Sequence, residues 1–245
     1  MTGAAAHLSL AGLSLVFLAG PALAQDISIN LGQGAGLTER VIQLIALITV
    51  LSLAPSILVM MTSFTRIVVV LSLLRTALGT GTAPPNAVIV ALALFLTAFV
   101  MGPAFQNAYD VGIRPLLNNE ITPEQAFERS TGPFKTFMLK NVREKDLTLF
   151  MDLSREQRPE TPDAISLRVL IPAFMISELK RAFEIGFLLF LPFLIIDLVV
   201  ASVLMSMGMM MLPPVIVSLP FKLIFFVLVD GWTLVAGSLI QSYGT

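Results

Sequence analysis

Three ionisable side chains, Asp197, Lys222 and Asp230, stand in the otherwise uncharged chain after Gly186. A charge in such a setting is costly, and by default it marks pairing or function. If the chain turns back near Met211 and Leu212, Lys222 falls opposite Ala201 and Asp230 opposite Phe193. Each then lies about 6 Å along a helix from the level of Asp197, within reach of a lysine side chain. A cation between two acids suits mutual neutralisation: Lys222 with Asp197, and Asp230 with Lys222 or with a neighbouring subunit. The alternatives are a proton or ion relay and the lining of a hydrated pore. A relay would normally show more protonatable groups at close helical spacing. Other chemistry is poorly supplied. The chain has no cysteine, which excludes disulfides, thiolate catalysis and Cys-ligated metals, and its one histidine is His7. Ser and Thr have no nearby general base, and there is no H-E-x-x-H. No enzyme, metal or cofactor is expected.

Five of the twelve methionines fall between Met205 and Met211, just before Pro213 and Pro214. Methionine is flexible and polarisable, so it re-packs around changing neighbours. The run reads either as a deformable seal or as ordinary apolar packing.

The elements that carry these residues are apolar. Of 245 residues 56% are hydrophobic and 13% charged, against about 25% charged in an average soluble domain. This composition belongs to a membrane protein or to an apolar membrane-associated assembly, and the net charge of −1 gives no sign of nucleic-acid binding. Residues 1–24 resemble a secretory signal peptide with an A-x-A-like end and cleavage between Ala24 and Gln25, although no Lys or Arg precedes the apolar core. A polar linker, 25–40, follows. Four apolar blocks then begin at Val41, Ala87, Ile185 and Val215, each long enough for a helix across about 30 Å of hydrocarbon. The blocks group into a first half, 41–105, and a second apolar hairpin, 185–245.

Residues 106–184 hold 12 of the 16 acids and 11 of the 15 bases, so a small polar domain sits between the apolar halves. It reads as helical. Thr122-Pro123-Glu124-Gln125 is a capping box with proline at the first helical position. Phe134, Phe137, Met138, Val142, Leu149, Phe150 and Leu153 recur at helical spacing and mark a buried or partner-facing side. Residues 154–163 read as a loop. A last helix is expected to begin near Asp163, run into the third block and bend at Pro172. With the start of the mature chain outside, Arg66 and Arg75 fall on the cytoplasmic side, in accord with the positive-inside rule. The polar domain then faces the periplasm or cell exterior. Arg66 and Arg75 read as interfacial snorkelling residues, and Glu178, Lys180, Arg181 and Glu184 as surface or inter-subunit ion pairs, with Glu178 also placed beside Asp197, Lys222 and Asp230 as a candidate for buried pairing. Gly79 to Pro85 reads as a turn, since it lacks the Lys-Ser/Thr of a P-loop.

Three long segments carry a family resemblance: Pro172 to Phe187, Leu191 to Ser202, and Pro220 to Trp232. They resemble the signatures of the FliP family of flagellar type III export-gate proteins, and the stretch from Arg66 to Arg75 and Ala83-Pro84-Pro85-Asn86 are similar as well. The resemblance implies an all-α fold of membrane-associated helical hairpins. These would assemble into a helical multi-subunit gate, with the small helical polar domain inserted in the middle. It implies FliQ-like and FliR-like partners, other copies of the chain, other export-apparatus proteins and membrane lipid. Unfolded flagellar subunits would pass through the pore at the basal body in the inner membrane. The family's gasket would fall on Met209, Met210 and Met211, and apolar blocks that read as spans can instead pack against other subunits. An injectisome export gate is the related alternative, which the signal peptide disfavours, and an ion-coupled transporter using Asp197 and Asp230 is the other.

Overall fold

The computed structural model describes residues 61–154, 161–209 and 211–244, with some helical positions between 41 and 60. The expected signal peptide, its Ala24–Gln25 junction, the linker, much of the first apolar block and Met210 lie outside the described residues. The helices described in full all belong to the unit Thr49–Thr245.

The described elements of this unit are all helical. α1 is Phe64–Leu78, ended by Gly79 in the left-handed conformation (φ 75°), which glycine adopts without a Cβ penalty. α2 is Asn86–Ala108 and begins directly after Pro84 and Pro85. A π-helical turn, Tyr109–Ile113, and the short α3, Arg114–Leu117, continue it. α4 is Pro123–Asn141 and starts with the expected capping box: Thr122 Oγ1 accepts from Gln125 N–H, and the Gln125 side chain accepts from Thr122 N–H, both at 3.3 Å. α5 is Glu144–Ser154. A 3₁₀ turn, Pro162–Ala164, occupies the place where the last long helix was expected to begin. α6 instead runs Leu167–Ser206 as one 40-residue helix through Pro172 and Pro192, about 60 Å long. α7 is Pro214–Leu228 and α8 Gly231–Gln241.

Among the described residues two stretches, Asn86–Leu117 and Leu167–Ser206, are each long and apolar enough to cross a membrane. The fourth apolar block is not one straight crossing: α7 and α8 meet at a bend of 63°. The cause is local. Asp230 takes a left-handed conformation (φ 50°), and the Phe226 ring lies where a Cβ on Gly231 would be.

α1 is the centre of the first core. Ile67, Val70, Leu71 and Leu74 pack with Ala93 of α2, Ala182 and Phe193 of α6, Phe226 of α7 and Leu239 of α8. Gly186 lets α6 approach closely, since a Cβ there would overlap Leu73. A second core joins Met101 of α2, Phe134 and Met138 of α4, and Val169, Leu170 and Phe174 of α6. α6 therefore belongs to both.

Two adjacent α6 residues fasten these cores. Glu178 is fully buried (0% exposed) and faces Arg66 of α1, itself 1% exposed. Arg66 Nε donates to Glu178 Oε2 at 3.0 Å and Nη2 donates to Oε1, a two-pronged pair. Arg66 Nη1 reaches Ser242 Oγ at 2.9 Å, and the guanidinium lies 3.9 Å from the centre of the Tyr243 ring. The Tyr243 hydroxyl donates to Glu178 Oε2. Burial, with the Glu178 charge adding to it, pushes the Tyr243 phenol far above its usual range, so it remains a donor. The snorkelling reading of Arg66 is thus corrected, and of the readings of Glu178 the structure shows the buried ion pair and not the surface one. Each charge is satisfied inside the chain, where its hydrogen bonds are strong. Lys180 and Glu184 do form an exposed pair, 3.7 Å apart.

Ser177 faces the other way. Its Oγ lies 2.6 Å from Asp146 Oδ2 and accepts from Arg143 N–H at 3.0 Å. Arg143 Nε donates to the same carboxylate at 2.7 Å. Burial raises the Asp146 pKa, but the Ser177 and Arg143 hydrogen bonds and the Arg143 charge outweigh it and hold the carboxyl below the ordinary aspartate range.

Removing one member of the buried pair strands the other. Arg66→Met or Glu178→Leu alone is expected to cost about 3–5 kcal/mol, and the double substitution distinctly less than either. Melting of the detergent-solubilised protein checks this, and a double variant as unstable as the sum of the singles refutes it. For Asp146 the folded pKa lies below the unfolded one. Its contribution is therefore complete above roughly pH 4 and fades as pH falls through the lowered folded value. Asp146→Asn should flatten the acid limb of the stability curve and leave its neutral shape intact. An unchanged acid limb counts against the assignment.

Candidate functional site

The α6–α7 hairpin brings the sequence-marked residues together. Ser218 and Lys222 are four apart on α7 and so share one face. Both reach Asp197 on α6. Lys222 Nζ donates to Asp197 Oδ2 at 2.7 Å, and Ser218 Oγ donates to Asp197 Oδ1 at 2.5 Å. Lys222 is buried, 3% exposed, whereas Asp197 is about a quarter exposed. Lys222 Nζ also donates to the Ala77 carbonyl at 3.3 Å. That carbonyl belongs to the last turn of α1, where the helix leaves carbonyls unpaired and its dipole favours a cation. One ammonium thereby links α1, α6 and α7. Ser218 was legible in hindsight from its four-residue spacing to Lys222. Nothing in the sequence pointed to Ala77.

Asp230 is not brought to Lys222. It is exposed at the α7–α8 bend, and its side chain makes no helix-capping bond. Glu178 belongs to the Arg66 network on the same long helix as Asp197. Arg75 is half-buried and fixes the turn after α1, its Nη1 donating to Asn86 Oδ1 at 2.6 Å and to the Pro84 carbonyl at 3.1 Å.

Beyond the Asp197–Lys222 pair the hairpin carries no charge to its tip. α6 ends in a Schellman motif: Met209 N–H donates to the Leu204 carbonyl at 3.0 Å and Gly208 N–H to the Met205 carbonyl at 3.1 Å. Gly208 supplies the left-handed residue (φ 72°) that this turn needs. Pro214 then stands at the first position of α7, where a missing N–H costs nothing. The tip is therefore defined in backbone terms. Its methionines are open: Met205, Met207 and Met209 are all exposed, and Met211 is 98% exposed. Below them an apolar groove of about 480 Å³ runs between the helices, lined by Ile195, Val199, Val203, Met207, Val217 and Phe221. An uncharged tip with mobile apolar side chains, on a base fixed by an ion pair, can close around an apolar or irregular object.

The FliP family profile matches residues 47–239. The chain is 64% identical over 235 residues to the flagellar biosynthetic protein FliP of Caulobacter vibrioides, covering 96% of this chain and 88% of that protein. Its counterpart in Bacillus subtilis is 55% identical over 202 residues, with 82% and 91% covered. The Aquifex aeolicus protein of that name is 51% identical over 231 residues, with 94% and 97% covered. The matched segment contains both buried ion pairs and the whole methionine tip, and the chain belongs to the FliP family.

Proposed function

We propose that this chain is a pore-forming structural subunit of the flagellar type III export gate in the cell membrane. It would pass unfolded flagellar subunits outward for flagellum assembly. Copies of the chain, with FliQ-like and FliR-like subunits, would surround the path. The observation that carries the reading is the hairpin: an uncharged, methionine-bearing tip held in place by the Asp197–Lys222 pair. Methionine side chains gathered from several copies can fill a narrow opening, and each can change rotamer as an unfolded segment slides past. An apolar constriction excludes hydrated ions because stripping their water is unfavourable. Met209, Met210 and Met211 are assigned this gasket role. The polar stretch 106–184 is assigned to the periplasmic side, and the chain to the basal body.

Replacing Met209, Met210 and Met211 together with alanine should raise small-ion leak several-fold, measured as conductance of the reconstituted gate. The complex should still assemble at normal size. Unchanged conductance removes the gasket assignment.

The same geometry separates a structural pair from a proton relay. Lys222→Met alone leaves a partly buried carboxylate without its cation and should lower the yield of assembled complex. Asp197→Leu combined with Lys222→Met should recover much of that yield and retain export. Assembly without any export in the double variant would assign the pair to ion coupling instead.

A further inference from the structure

Five charged side chains lie in the described apolar parts of the chain, at Arg66, Arg75, Asp197, Lys222 and Asp230. Glu178 neutralises Arg66, and Asp197 neutralises Lys222. The remaining two are opposite in sign. Arg75 uses only Nη1, on two neutral oxygens, and has no acidic partner among the described residues. Burial imposes no cost on its Nε and Nη2: among the described residues the buried side-chain polar atom without a partner is Ser63 Oγ alone. That edge of the guanidinium is therefore open to the outside. Asp230 is likewise exposed, without a cationic partner among the described residues, and rimmed by the exposed Val227, Leu228 and Leu234. A charge on an apolar rim that will be covered by lipid or protein needs a counter-charge.

The two do not meet within one chain. Lys222 marks the level of Ala77, and Arg75 lies two residues before Ala77 on α1. Asp230 lies eight residues beyond Lys222 on the α7–α8 segment. α1 runs antiparallel to that segment, since Arg66 lies beside Ser242 and Ala77 beside Lys222. At the helical rise Arg75 lies about 3 Å from the level of Ala77, and Asp230, at the 63° bend, about 12 Å of chain beyond Lys222, so the two stand at different levels.

We propose that Asp230 of one copy pairs with Arg75 of the next copy in the assembled gate. The inference rests on the reading of the chain as a self-associating subunit. A second copy is the occupant because the described apolar parts of one chain leave one charge of each sign, at different levels. A head-to-tail contact neutralises one of each at every interface and can be repeated along a series of copies. The difference in level calls for neighbouring copies displaced along the axis, with the long arginine side chain covering part of the gap.

The absence of native cysteine makes the test clean. Chains bearing Arg75→Cys and, under a different tag, Asp230→Cys are co-expressed, and their membranes are treated with a short bis-maleimide. The expected product is a dimer carrying both tags, with little dimer when either chain is expressed alone. The chain with both substitutions should give a ladder of higher oligomers. In parallel, Arg75→Glu and Asp230→Arg should each lower the yield of extracted complex several-fold, and the two together in one chain should restore it. A complex of normal size with no two-tag dimer and no restoration overturns the pairing while leaving self-association intact. Extraction of monomer alone from the unsubstituted protein overturns self-association itself. A cross-link within single chains of the double variant also overturns the proposal.

Discussion

Arg66 and Glu178 are each intolerable alone inside an apolar core and acceptable only together, so the helices that carry them cannot part. That constraint travels. Fixing α1 against α6 places the Ala77 carbonyl, eleven residues further along α1, where Lys222 can donate to it. Lys222 then holds Asp197 and with it the base of the α6–α7 hairpin. On the neighbouring position of α6, Ser177 grips the Asp146–Arg143 pair and draws in α5. One long, largely apolar helix thus carries three polar fastenings. Apolar contact alone has no directional preference, and helices of this composition could slide or rotate against one another. The ion pairs remove that freedom.

The hairpin combines two opposed material properties. At its base, Asp197 accepts from Lys222 and Ser218 and has little freedom to move. At its tip, the Schellman turn and Pro214 fix the backbone while the methionine side chains stay uncommitted. Softness confined to side chains on a rigid frame is what a seal around a variable object requires. A soft backbone would leak, and rigid side chains would fit only one cross-section. Methionine supplies the adaptable surface without introducing charge or branching.

Local signals in the sequence carried far. The capping box at Thr122, the helix break between Met207 and Pro213 and the pairing of Asp197 with Lys222 were all legible, because each depends on spacing along one or two segments. The partnership of Arg66 with Glu178 was not legible because it joins residues 112 positions apart. From sequence, an arginine near an apolar block and a glutamate in a charged turn both suggest an interface. Only the close approach of α1 and α6, permitted by Gly186, makes them neighbours. The bend at Asp230 was read through: Asp230-Gly231 interrupts the apolar run with a turn-type dipeptide, but the pattern cannot report that the Phe226 ring will lie against Gly231. Hydropathy measures how apolar a surface is and is blind to what covers it.

What covers the exposed apolar surface differs along the chain. On α2, α6 and α7, residues such as Phe95, Phe99, Leu198 and Val227 are exposed within long apolar runs, where lipid tails and protein side chains are nearly equivalent as solvent. The polar stretch is different. Phe127, Leu149 and Leu153 are exposed on α4 and α5, among the charges that dominate residues 106–184. A segment this charged does not enter hydrocarbon, so lipid is not available there and water is the alternative. Large apolar side chains facing water gain by burial against protein, at roughly 25 cal/mol per Å². Any cover for α4 and α5 is therefore polypeptide and not lipid, whereas the apolar helices are equally compatible with either. The polar stretch thus distinguishes between protein and lipid as cover in a way that the apolar helices do not.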